Sequence, residues 1–192
     1  MKSVTAVPIP LLTAEELAAD SRYRECELWD GLPVVKEPSG GYSPLIEHEL
    51  GALLHAHVSP RDLGWVGSPS AGFILRRNPD RLLSPDLAFV PYARLPQWPR
   101  RGFAECVPDF VVEVRSPDQT WREILEKGVI WASHGVRVAW LVDPVGRRAV
   151  TMKPDAAPVE VGEDGVLEAA PALTGFTVPL APLFRERGPR AG

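Results

Sequence analysis

The chain has 192 residues, with 21 basic side chains against 25 acidic ones and 45% hydrophobic residues. That length suits a single domain over 1–192 with a core that closes without staples, and a charged fraction of 24% excludes wholesale disorder. The net charge of −4 argues against a generally basic nucleic-acid coat.

In chain order, Thr13-Ala14-Glu15-Glu16 fits a capping box and predicts a short helix over 13–20. Residues 24–35 read as a hairpin, with Asp30-Gly31 as its turn. Pro38-Ser39-Gly40-Gly41 then breaks the chain. Residues 43–57 read as a helix with Ile46, Leu50, Leu53, Leu54 and His57 on one side. Strand-like runs follow at 63–67, 71–76 and 85–91, then a proline- and arginine-containing loop over 92–108. Phe110 to Val114 is a short apolar run holding one carboxylate. Ser116-Pro117 predicts a helix start, with serine as cap and proline at the first helical position, and His134-Gly135 ends that helix. Val136 to Val142 is a buried strand, and short strands and turns follow to about residue 184, with a polar tail over 185–192.

The middle of the chain, about 43–143, thus runs helix, three strands, helix, strand. The fold class is α/β in the broad sense (α+β), a mixed central sheet flanked by helices. The N-terminal segment 1–42 and the C-terminal segment 144–184 are expected to add hairpins to that sheet.

Chemistry concentrates at Pro108 through Pro117. Period two places Asp109, Val111, Glu113 and Arg115 on one strand face and Phe110, Val112 and Val114 on the other. Glu113 lies between valines, and a buried carboxylate needs a cation or strong donors beside it. A divalent metal serves, and so does Arg115 or another arginine. Asp86 opens a second apolar strand after Ser84-Pro85, where it either joins Glu113 on a metal or caps a turn. Asp109, at a strand entrance behind a proline, reads as structural.

Only four residues are lysines: Lys2, Lys36, Lys127 and Lys153. Lys127 sits at the flank of a stripe formed by Trp121, Ile124, Leu125, Gly128 and Ala132, near Trp131. From there its stem can follow the core and its ammonium can enter a cleft. The plainer alternative is an i,i+4 pair with Glu123. His48, His55 and His57 lack the spacing of a zinc helix, and Trp121, Trp131 and Trp140 read as core.

These segments resemble the Uma-two family of putative restriction endonucleases, within the PD-(D/E)xK nuclease superfamily. The resemblance is carried by Glu27-Leu28-Trp29-Asp30-Gly31, Ser84 through Val90, Pro108 through Pro117, Glu126-Lys127, Gly135 through Pro144, Leu173-Thr174-Gly175-Phe176 and Leu183-Phe184. It implies a restriction-endonuclease-like core, with Asp86 and Glu113 as ligands of Mg²⁺ or Mn²⁺. The superfamily's lysine two residues after the acidic ligand is Arg115 here. Arginine cannot tune its protonation as lysine can, so the resemblance points to Lys127 as the relocated catalytic cation. Glu27 or Glu47 are possible supporting carboxylates, and Arg115 is expected to be structural.

The expected activity is metal-dependent hydrolysis of DNA phosphodiester bonds; the alternatives are a non-catalytic nucleic-acid or protein-binding module and hydrolysis of another phosphate ester. Residues 70–101 carry six arginines against two aspartates, a local +4, while the remainder carries −8. This strip either contacts phosphates or is a solvated loop. A homodimer fits an enzyme that cuts both strands. Cys26 and Cys106 form no disulfide framework, the first residues lack a signal-peptide pattern, and no apolar run reaches the roughly 18 residues of a membrane span. The expected location is therefore the cytoplasm.

Overall fold

The computed structural model describes residues 10–36 and 40–185. Helix α1 (Ala14–Ala19) begins at the expected capping box. The Glu16 N–H donates to Thr13 Oγ1 at 3.2 Å, and the Thr13 N–H donates to Glu16 Oε2 at 2.8 Å. Strands β1 (Cys26–Trp29) and β2 (Leu32–Val35) form the predicted antiparallel hairpin. Asp30 and Gly31 both have left-handed backbones, φ 54° and 81°, as a two-residue Asp-Gly hairpin turn requires. Helix α2 (Ser43–Val58) buries Ile46, Leu50, Leu54 and Val58. Leu53, placed by its spacing in the buried stripe, is exposed.

Strands β3 (Gly64–Gly67), β4 (Phe73–Arg76), β5 (Arg81–Leu83), β6 (Leu87–Pro91) and β7 (Phe110–Val114) lead to helix α3 (Trp121–Ser133). Strands β8 (Val138–Asp143), β9 (Arg148–Met152), β10 (Val159–Gly162), β11 (Val166–Glu168) and β12 (Thr177–Pro179) follow, then the short helix α4 (Leu180–Leu183). Six strands form a mixed sheet in the order β10-β9-β8-β7-β6-β3. Only β7 and β8 in it run parallel. Their link is α3, the long crossover that a parallel pair needs. Within this sheet the order α2, β3, β6, β7, α3, β8 is again helix, three strands, helix, strand, but β7 takes the place of the run at 71–76 as one of the three strands.

Three expectations are corrected. The run at 71–76 leaves the main sheet: β4 pairs with β5, an element not predicted, and β5 pairs with β1. The N-terminal hairpin therefore builds a second sheet, β2-β1-β5-β4, instead of extending the first. Leu28, Ile74 and Leu82 of that sheet close a separate small core with Ala14 and Leu17 of α1, which is what draws the hairpin away. At the other end β9 and β10 do extend the main sheet, whereas β11 and β12 pair as a separate ribbon. Finally, α3 does not begin at Ser116-Pro117. Its cap is Thr120, which forms a capping box with Glu123 that satisfies donors at the helix start. Ser116 instead opens a turn closed by Gln119. Pro38 and Ser39 of the chain break read at 38–41 lie outside the described residues, as do most of the tail at 185–192 and of the segment read for a signal peptide.

The period-two division of β7 decides what each helix meets. Phe110, Val112 and Val114 pack with Ile46, Leu50 and Leu54 of α2. Val111 packs with Ile124 and Trp131 of α3 on the opposite face, which is also the face of Glu113. Helix α3 sits close to the sheet because Gly128 has no side chain. A Cβ there would stand 2.5 Å from Leu141 Cδ1 and 2.7 Å from Met152 Sδ. The buried line of α3 runs through Ile124, Gly128 and Trp131, so Trp131 replaces Ala132 as its last member.

Candidate active site

The antiparallel register of β6 and β7 pairs Leu87 with Val112 and Ala88 with Val111. One step further sets Asp86 opposite Glu113. Both carboxylates are buried, 5% and 3% exposed in their side chains. Asp86 is anchored by the Val114 N–H, which donates to Oδ2 at 2.7 Å. Glu113 accepts from Trp131 Nε1 at 2.8 Å on one oxygen and from Lys127 Nζ at 3.1 Å on the other. Lys127 and Trp131 are four residues apart on α3, hence on one helix face, and both reach the same carboxylate.

Lys127 also donates to Glu27 Oε1 at 3.4 Å. Glu27, on β1, accepts from the Ser84 N–H at 2.9 Å and from Trp29 Nε1 at 3.2 Å. The second sheet thus brings a third carboxylate to the site. It brings a second lysine as well: Lys36 Nζ donates to Asp86 Oδ1 at 3.1 Å and to the Ser84 carbonyl at 2.9 Å. Glu27, Lys36, Asp86, Glu113 and Lys127 line one cleft of about 350 Å³, with Trp29, Val34 and Val35 on the hairpin side and Asp118, Glu123 and Glu126 on the α3 side.

Burial drives the Glu113 carboxyl up, to about 7; the Lys127 ammonium opposes this and the neighbouring Asp86 carboxylate adds to it. For Lys127 burial acts to lower the value, but Glu113, Glu27 and Asp86 outweigh it and hold the lysine above its ordinary range. The ammonium keeps its proton, and Glu113 is the group whose charge is poised near neutrality.

Of the residues singled out from the sequence, Asp86, Glu113, Lys127 and Glu27 converge. Glu47 does not; it lines a different cleft with Pro44, His48 and Leu87. Arg115 turns to Asp143 at 2.7 Å and to the Gln119 carbonyl at 2.7 Å, and among the described residues the partners of Glu113 are Lys127 and Trp131, not an arginine. Glu123 is engaged in the α3 capping box and is not the ion-pair partner of Lys127. Asp109 holds Arg94 and Arg137. The basic strip at 70–101 is largely consumed internally. Arg76 and Arg81 pair with Asp30, Arg77 with Glu15, Asp80 and Glu105, and Arg94 with Asp109. Lys36 was missed as a site residue, although the shortage of lysines was a usable signal. The Trp131 indole, read as core, is core and also a donor to Glu113. Among the described residues no group of three or more His, Cys, Asp and Glu side chains is placed to hold a metal ion, and no helix is long and apolar enough to cross a membrane.

Comparison with solved structures finds the same fold in a crystal structure titled as a putative nuclease belonging to DUF820 from Anabaena variabilis. The TM-score is 0.76 at 19% identity, over 92% of this chain and 98% of that one. No curated protein matches. The sequence profile of Uma2, described as putative restriction endonuclease, matches residues 13–181, and with most of its length covered the chain belongs to the Uma2 family.

Proposed function

We propose that this chain is a metal-dependent endonuclease that hydrolyses DNA phosphodiester bonds, working as one domain in the cytoplasm. The observation that carries the reading is the convergence of Asp86, Glu113 and Lys127 on one cleft, from two strands and the helix packed across them. The donor set fits a small, hard divalent cation. Two carboxylates stand side by side, Asp86 just ahead of β6 and Glu113 on β7, and such ions commonly take one or two carboxylates and keep several waters. The cleft is also short of positive charge, with six carboxylates against Lys36 and Lys127. Asp86 and Glu113 would hold Mg²⁺ or Mn²⁺. Such an ion, when bound, polarises a phosphoryl oxygen and makes water a better nucleophile.

The protein's own groups supply the rest. Lys127 presents a permanent charge beside Glu113, where it orients a water or faces the negative charge that develops on the phosphate. Glu27 holds Lys127 from the other side, and Trp131 fixes the orientation of Glu113. The acidic rim of Asp118, Glu123 and Glu126 repels a polyanion, so charge compensation at the carboxylates favours substrate entry. Two copies acting together would cut both strands.

The test is cleavage of supercoiled plasmid with Mg²⁺ or Mn²⁺ and with chelator, using the wild type, Glu113→Ala and Lys127→Ala. Metal-dependent cleavage by the wild type, reduced by at least about 100-fold in both variants, is expected. Equal cleavage by all three would identify a contaminant and sink the reading.

A further inference from the structure

The cleft holds two lysines, and only Lys127 has a part in the reading above. Lys36 follows β2, where its backbone N–H donates to the Glu25 carbonyl at 2.7 Å and fixes where the side chain leaves the hairpin. Its ammonium sits on Asp86 Oδ1 and the Ser84 carbonyl. The other Asp86 oxygen is taken by the Val114 N–H. The two lysines differ in how firmly they are held. Lys127 is clamped between two carboxylates and is 12% exposed, whereas Lys36 has one carboxylate and one carbonyl and is 24% exposed.

We propose that Lys36 is a positioning residue: the resident counter-ion of Asp86, displaced from Oδ1 when a divalent cation binds. The inference rests on the reading of Asp86 and Glu113 as cation ligands. An ammonium and a divalent cation on one carboxylate oxygen repel each other at close range, in a setting where water screens poorly. Lys36 is the one able to leave, because its long flexible stem ends near solvent and it holds a single carboxylate. Without the ion, Lys36 balances the charge of Asp86 while the Val114 N–H fixes its other oxygen, so the ligand is oriented in advance. Cation affinity is correspondingly lower than the two carboxylates alone would give.

The test is calorimetric titration of Mn²⁺ into the full chain, comparing the wild type with Lys36→Met, Lys36→Arg and Asp86→Asn. Removing the charge is expected to tighten Mn²⁺ binding roughly three- to tenfold, while Lys36→Arg keeps the charge and stays near the wild type. In parallel, Lys36→Met has a lower Tm in chelator and gains more from Mn²⁺ than the wild type does. Unchanged or weaker Mn²⁺ binding by Lys36→Met overturns the proposal but leaves the ligand reading intact, provided Asp86→Asn still abolishes binding. If Asp86→Asn binds as the wild type does, the ligand reading falls and the Lys36 proposal with it. Should Lys36→Met fail to fold, Lys36→Gln is read by the same criteria.

Discussion

Glu113 and Arg115 stand two residues apart at the end of one strand, yet they enter two very different charge clusters. Arg115 is held from two sides. Its guanidinium meets Asp143 and a backbone carbonyl, and Asp143 also accepts from the Gly146 N–H and pairs with Arg148 at 3.5 Å. Burial acts to raise the Asp143 carboxyl, but these donors outweigh it and hold it below its ordinary value. Glu113 has the opposite balance: burial wins, and the carboxyl rises to about 7. The surroundings explain the difference: Asp143 meets a backbone N–H and two arginines, whereas Glu113 is buried beside the Asp86 and Glu27 carboxylates as well as Lys127. Arginine offers a planar fork that fills a carboxylate and cannot give up its proton, while lysine is a point charge on a flexible stem. The Arg115 cluster fastens β7 to β8; the lysine cluster leaves two carboxylates facing a cleft.

The largest effect that sharpens this contrast is expected at Asp143. Replacing it by alanine strands Arg115, whose side chain is 13% exposed, and removing one member of a buried pair costs about 3–5 kcal/mol in urea unfolding. Lys127→Met is expected to cost less stability, because Glu113 can take up a proton where Arg115 cannot lose one. Its plasmid cleavage should nonetheless fall by about 10²–10³-fold. If the two substitutions cost equal stability near pH 6, the comparison fails.

A third test uses pH in metal-free buffer. A carboxyl raised in the folded state contributes stability that is full below its unfolded value and is lost as pH rises through its folded value. From the ordinary value of 4.5 to about 7, the wild type should lose up to about 3 kcal/mol relative to Glu113→Gln across that window. A flat difference in urea stability between the two proteins would show that Glu113 is already ionised at the lower pH. The smallest effect is expected at Arg122, whose pair with Glu126 lies on the exposed side of α3. Arg122→Ala should leave the urea midpoint unchanged, as screened surface pairs contribute little.

Much of the site was legible from single residues. A glutamate flanked by valines in a strand must find a partner, and a lysine at the flank of an apolar helical stripe can enter a cleft. These two arguments, with the family resemblance, were enough to nominate Asp86, Glu113 and Lys127. What local patterns could not provide was the pairing. Arg115 and Glu113 share period-two parity, so the sequence allowed an ion pair between them; Asp143, brought alongside by the parallel β8, competes for the arginine and wins. Likewise Glu123 lies at i−4 from Lys127, but the capping box at Thr120 claims it.

The sequence by itself determined the two faces of β7, most of each helix face, the Asp-Gly turn and the scarcity of lysine. Each of these follows from nearest-neighbour backbone geometry and hydrophobic period. Only the tertiary structure decided that the N-terminal hairpin joins β5 instead of the main sheet. That one long-range pairing carries Lys36 to Asp86 and Glu27 to Lys127, across 50 and 100 residues of chain respectively. No local period encodes such a contact, because it depends on which apolar strands find a shared core, and here the small core around Leu28 and Leu82 made that choice.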